Sequence, residues 1–128
     1  MTPPPRRLVL VVEDSSDCAE TLLVALEALP DTEVRICLDA RTVWRMIEEN
    51  PARLSAVITD LHLLQSDGFE LIRRVRADTR FARVPIVLIS GDSDPRIPEI
   101  AFASGASAWF PKPYSPAAVR RKLEELLC

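Results

Sequence analysis

The chain reads as an α/β domain, an open, doubly wound sheet of five parallel strands with helices on both faces. Two observations predict it. Short, continuous apolar runs alternate five times with longer segments of helical period, and the runs lack the polar alternation of a strand with one wet face, so both their faces are covered. The second is where these runs stop: Glu13-Asp14, Asp60 and Lys112 each close one of them or follow it closely.

Leu8 to Val12 is the first run. The period then changes, with Leu22, Ala25, Leu26 and Leu29 recurring at three and four residues behind Ser15, Ser16 and Asp17 as cap candidates, and with Pro30 as a stop. Val34 to Leu38 forms the second strand and leads to a helix around Val43, Met46 and Ile47. Ala56 to Thr59 precedes a helix carrying Phe69, Ile72 and Val75, with Asp67-Gly68 as its turn or cap signal. Val84 to Ile89 leads to a helix near Ile97 to Ala103, and Ala108 to Phe110 to a last helix with Val119, Leu123, Leu126 and Leu127. Right-handed crossovers are expected throughout. Pro98 removes a backbone donor, so with Pro95 as first helical residue the fourth helix is expected to be short or mobile at its start. Trp44, Phe69 and Phe102 read as packing residues and Phe81 as a loop anchor.

At 128 residues and 48% hydrophobic content the chain can bury a core without disulfide or metal staples. Residues 1–6, with their triple proline, read as a disordered arm and residues 7–128 as one domain. A net charge of −3, with Arg and Lys scattered among acids, argues against direct binding of nucleic acid. Cys18, Cys37 and Cys128 are odd in number and form no CxxC, which suits free thiols in a reducing compartment. No stretch approaches the ~20 apolar residues of a membrane span, and Met1 to Arg7 lacks the apolar centre of a secretory signal. The expectation is a cytoplasmic protein without membrane contact.

In a doubly wound sheet the ligand crevice lies beyond the carboxyl ends of the strands. Here those ends carry Glu13-Asp14, Asp60, Ser90-Gly91 and Lys112-Pro113. Singly each has an ordinary explanation: a helix cap, a turn acid, a loop, a solvated lysine. Jointly they do not, because chance would have to place every one at the same sheet edge. Three carboxylates and one ammonium are what a divalent cation and a transferable phosphoryl group require.

The motifs Val11-Val12-Glu13-Asp14-Ser15, Ile58-Thr59-Asp60-Leu61, Asp67-Gly68-Phe69-Glu70-Leu71, Ile89-Ser90-Gly91, Gly105-Ala106-Ser107-Ala108-Trp109 and Pro111-Lys112-Pro113-Tyr114 resemble the receiver domain of two-component response regulators, from about Leu8 to Leu127. The resemblance implies a flavodoxin-like (βα)5 fold with strand order 2-1-3-4-5. It implies Asp60 as phosphoacceptor, with Glu13, Asp14, Asp60 and the backbone carbonyl of His62 holding Mg²⁺ or Mn²⁺. Ser90, Lys112 and the backbone N–H of Gly91 would bind the phosphoryl group, Gly91 leaving space for that approach. A buried acid cluster repels itself, so at least one carboxyl is expected to have a raised pKa. Ser90 and Trp109 would act as the switch, reporting to the face of the fourth helix, fifth strand and fifth helix. Lys112-Pro113 is a candidate cis peptide. The implied partners are a histidine kinase or histidine phosphotransfer protein, a downstream protein target, and a second copy through that same face. The chain would not be an enzyme, beyond self-phosphorylation from small donors and autodephosphorylation, and no effector segment is expected after the fifth helix.

Departures are informative too. Glu13 stands where the family often has Asp, and Leu63-Leu64-Gln65-Ser66 replaces Met-Pro-x-Met, leaving Leu64 where a stiffening proline is usual and predicting a more mobile loop. His62 and Asp92 fall at positions that tune phosphoryl lifetime in the family. Two rival readings are an aspartate-nucleophile phosphohydrolase and a pseudo-receiver that is never phosphorylated. His62 stands where the hydrolase has its second aspartate, and every acceptor-site group is present.

Overall fold

A computed structural model describes residues 7–127. The expected arm at residues 1–6 and Cys128 lie outside them. In chain order the elements are β1 (Arg7–Val12), α1 (Ser16–Leu26), β2 (Thr32–Cys37), α2 (Ala40–Glu49), β3 (Leu54–Asp60), α3 (Gly68–Ala77), β4 (Ile86–Ser90), α4 (Ile97–Ser104), β5 (Ala108–Pro111) and α5 (Pro116–Leu127). All pairings in the main sheet are parallel and the order is β2-β1-β3-β4-β5, as expected.

The period-two rule of a strand sorts the core into two layers. Leu8, Leu10 and Val12 of β1 pack with Val43 and Ile47 of α2, Leu71, Ile72 and Val75 of α3, and Ile97 and Ala101 of α4. Val9 and Val11 point the other way, onto Leu22 and Leu26 of α1 and Val119 and Leu123 of α5. Each fully buried Leu or Ile contributes roughly 1.5–3 kcal/mol relative to exposure, so the two layers dominate the stability of the domain.

Several local expectations are corrected. The α1 cap position is Ser15, but its side chain makes no capping bond; its N–H is instead taken by Glu13 Oε1 at 3.1 Å. Helix α4, in contrast, begins at Ile97 as expected, which leaves Pro95 before it; Pro98 is in the first turn, where its missing N–H is harmless, and the helix is short at eight residues. Phe102 is not a packing residue: it is 53% exposed on α4. Leu38 lies beyond the end of β2 and is also exposed. The loop after Asp60 folds back on itself, pairing His62–Leu63 with Ser66–Asp67 around Gln65 at φ 64°.

One tie had no signal in the sequence. Arg76, on α3, donates from Nε to the Gly105 carbonyl at 2.8 Å, and from Nη1 to the Phe81 and Val84 carbonyls at 3.0 and 2.6 Å. Its Nη2 reaches Ser107 Oγ at 3.3 Å. Gly105 closes α4 at φ 118°, a conformation that favours glycine, and an added Cβ there would fall 2.5 Å from Arg76 Cγ. The carboxyl end of α4 is thus bolted to α3.

Candidate functional site

Strand register brings the polar ends together. Val12 pairs with Thr59, Asp60 with Ile89, and Ser90 with Pro111. The following residues therefore fall at one edge, Glu13 level with Asp60 and Lys112 level with Gly91. Lys112 is fixed there by its N–H to the Ser90 carbonyl (2.8 Å) and Glu13 by its N–H to the Cys37 carbonyl (3.1 Å). The Asp60 segment is held through the Leu61 N–H to the Ile89 carbonyl at 3.0 Å.

Carboxylate oxygens of Glu13, Asp14 and Asp60 lie within 4.8 Å of one another. Glu13 and Asp60 are buried, at 1% and 7% exposure, while Asp14 stands at the solvent side. Lys112 Nζ is 2.9 Å from Asp60 Oδ2 and 3.1 Å from Glu13 Oε2. Three carboxylates against one ammonium leave two negative charges uncompensated. Glu13 Oε2 is ion-paired with that ammonium, yet it lacks a well-directed hydrogen bond among the described residues. An all-oxygen donor set with a buried, under-satisfied acceptor and one wet side fits a hard divalent cation that keeps part of its water.

The electrostatics follow from burial. Glu13 has its pKa raised above the ordinary carboxylate value, first by burial and also by the charge of Asp60, against the lowering effects of the Ser15 N–H and of Lys112. A raised acid was expected, but its chief cause is desolvation rather than mutual repulsion. Burial lowers the Lys112 pKa, but the close pairing with Asp60 and Glu13 outweighs it and carries the ammonium above its usual range. Lys112 is charged throughout the physiological range, and its stabilising contribution is lost only as alkaline pH passes its folded-state value.

Ser90 is buried, and its Oγ accepts the Asp92 N–H at 3.0 Å. His62 Nε2 lies 3.3 Å from Asp92 Oδ2. Each residue was read from the sequence singly; their meeting across the mouth was not. With 71% and 38% side-chain exposure, the pair contributes at most about 1 kcal/mol and is a weak latch. An added Cβ on Gly91 would meet only Lys112 carbons, at an ordinary 3.7 Å. Trp109 is half-buried, level with Leu88 along β5 and packed on the layer of α2, α3 and α4, and its indole N–H has no partner among the described residues. The Lys112-Pro113 peptide is cis.

Five parallel strands in this order, with clustered acids and a lysine at their carboxyl edge, define the receiver class of α/β domain. Residues 9–124 match the family described as the response regulator receiver domain, and the chain belongs to it. It is 29% identical over 119 residues to the chemotaxis protein CheY1 of Helicobacter pylori, covering 93% of this chain and 95% of that one. Solved structures tell the same story. CheY4 of Vibrio cholerae superposes with a TM-score of 0.81 at 26% identity, covering 94% of this chain and 98% of that one. A receiver domain of a histidine kinase from Syntrophus aciditrophicus gives 0.83 at 26% identity, with 94% and 89% covered. Receiver domains are signalling modules that interact with histidine kinases and downstream targets, and they bind Mg²⁺ at an acidic pocket. No helix of the described residues is long and apolar enough to cross a membrane.

Proposed function

We propose that this domain takes a phosphoryl group onto Asp60 from a histidine kinase or histidine phosphotransfer protein in the cytoplasm, and signals through protein contacts. The observation that carries the reading is the meeting of Glu13, Asp14 and Asp60 within 4.8 Å, with Lys112 at 2.9 Å from Asp60. Glu13, Asp14, Asp60 and the His62 carbonyl would hold Mg²⁺ or Mn²⁺, which supplies positive charge to the transferring group. The Asp60 carboxylate is the nucleophile and forms the acyl phosphate. Lys112, already ionised, pairs with the phosphoryl oxygens, while the Ser90 hydroxyl and the Gly91 N–H donate to them. Turning Ser90 toward the new group breaks its bond with the Asp92 N–H and releases the β4–α4 loop. Trp109 responds from β5, and the α4-β5-α5 face, with exposed Phe102, meets a downstream target or a second copy. Nucleic acid is not a direct partner. The test is incubation with acetyl phosphate and Mg²⁺: acid-labile phosphate on Asp60 is expected, and an unlabelled, folded domain would overturn the reading.

Two further results are expected. Because the folded-state pKa of Glu13 is raised, the metal-free domain holds that proton more tightly than the unfolded chain does. That contribution is complete below about 4.5 and is lost as pH rises through the folded value. Glu13→Gln should therefore melt higher than wild type near neutral pH without metal and should show little gain from Mg²⁺, whereas wild type gains several degrees; the reverse ranking in a thermal melt counts against this assignment. Phosphoryl lifetime is set in part by the His62–Asp92 latch, so His62→Asn should change the decay rate several-fold after donor removal. An unchanged decay dismisses the latch.

A further inference from the structure

Beside the acceptor carboxylate lies a cavity of about 570 Å³ with mostly apolar walls. Asp17, Cys18 and Thr21 of α1 form one side, Tyr114 of the β5–α5 segment and Pro116 at the start of α5 the other, and Gly91 and Lys112 close the end. Gly91 and Lys112 also belong to the proposed phosphoryl-binding set, and Lys112 Nζ lies 2.9 Å from Asp60 Oδ2, so the cavity borders the reacting centre through these two residues. We infer that this cavity is a leaving-group subsite, which makes the domain prefer small phosphoryl donors whose leaving group is flat and largely apolar, such as an aromatic acyl phosphate. The inference rests on Asp60 being the acceptor.

The chemistry constrains what such a subsite must do. An Asp60 oxygen forms a bond to phosphorus while the bond from phosphorus to the acyl oxygen breaks. The acyl oxygen leaves with the electron pair as a carboxylate. The dianionic donor and ionised Asp60 carry the same total charge as the acyl phosphate and the released carboxylate, so no proton or second reactant is needed. A wall that donates no proton is therefore sufficient, and apolar contact is what remains to discriminate between donors. Lys112 Nζ, 2.9 Å from Asp60 Oδ2, holds the phosphoryl end, and a group attached to that end has the carbon-lined cavity beside it. Burial, then the nearby Cys18 and Glu13, push the Tyr114 phenol up to about 12, so the Tyr114 side adds no negative charge against the donor, and the one acidic side chain among the lining residues is Asp17 on the α1 side. The volume falls within the range of ordinary small-ligand pockets and takes a single aromatic ring with room to spare.

Rate constants for Asp60 labelling by acetyl phosphate and benzoyl phosphate, measured at the same Mg²⁺ concentration, test the proposal. Wild type should label about tenfold faster from benzoyl phosphate. Thr21→Phe, at an exposed α1 position whose hydroxyl bonds only the Asp17 carbonyl, fills the cavity and should remove the advantage while leaving the acetyl phosphate rate unchanged. Equal wild-type rates, or an advantage that survives Thr21→Phe, overturn the subsite. A binding measurement stands apart from labelling: benzylphosphonate, but not methylphosphonate, should shift the amide resonances of Thr21 and Tyr114 in unmodified protein. Absence of label from both donors removes the acceptor assignment of Asp60; the phosphonate titration then decides the cavity alone, shifts upholding it and silence overturning it.

Discussion

Asp60→Asn should reduce acid-labile phosphate incorporation to background while the domain stays folded. An amide carries no anionic oxygen to attack phosphorus, and the neighbouring acids are poor substitutes. Glu13 is almost wholly buried, has one oxygen on the Ser15 N–H and the other on Lys112, and has a raised pKa. Asp14 is at the solvent side and forms no ion pair with Lys112 among the described residues. Loss should exceed 100-fold, equivalent to about 2.7 kcal/mol or more of barrier. The fold should persist because Lys112 keeps its ion pair with Glu13 and the two apolar layers are untouched. Far-ultraviolet circular dichroism and a melt report the second half of the claim. Label retained by a folded Asp60→Asn protein would place the acceptor elsewhere.

The second large effect is expected from a residue with no side chain. Gly68 opens α3, and a Cβ built there would lie 2.5 Å from the carbonyl oxygen of Asp60, 2.9 Å from Leu88 Cδ1 and 3.1 Å from Leu61 Cα. Two of those three atoms are backbone and cannot turn aside. Its N–H also bonds the Leu61 carbonyl at 2.6 Å, clamping the loop that follows the acceptor. Gly68→Ala should cost roughly 1–3 kcal/mol. That lowers the melting temperature by about 3–12 °C in a domain of this size. It should also slow labelling, because relief of the clash moves the Asp60 backbone. Gly91→Ala provides the contrast: its Cβ meets only ordinary 3.7 Å contacts, so its melt should lie close to wild type. A Gly68→Ala melt indistinguishable from that of Gly91→Ala would show that the packing relieves itself more cheaply than the geometry indicates.

The fold and the acid pocket were legible because both depend on periodicity. Parallel strands of matched register deliver their next residues to one edge, so apolar runs ending in Glu13-Asp14, Asp60 and Lys112 already imply a meeting. What depends on long-range approach was not legible. His62 and Asp92 are 30 residues apart and meet only because two loops converge. Phe102 has the same apolar character as any core residue, and only the rotation of α4 about its axis leaves it in solvent. The cause of the raised Glu13 pKa required knowing how little of that side chain meets water.

Arg76 is the least legible of all, since three of its four acceptors are main-chain carbonyls that every residue type possesses. Such a grip is indifferent to the side chains of Phe81 and Val84, and among the positions it holds only Gly105 and Ser107 are fixed by their own chemistry. The outward residues of α4 take no part in that grip, so they can be exchanged freely while the footing of the helix and the acid pocket stay in place.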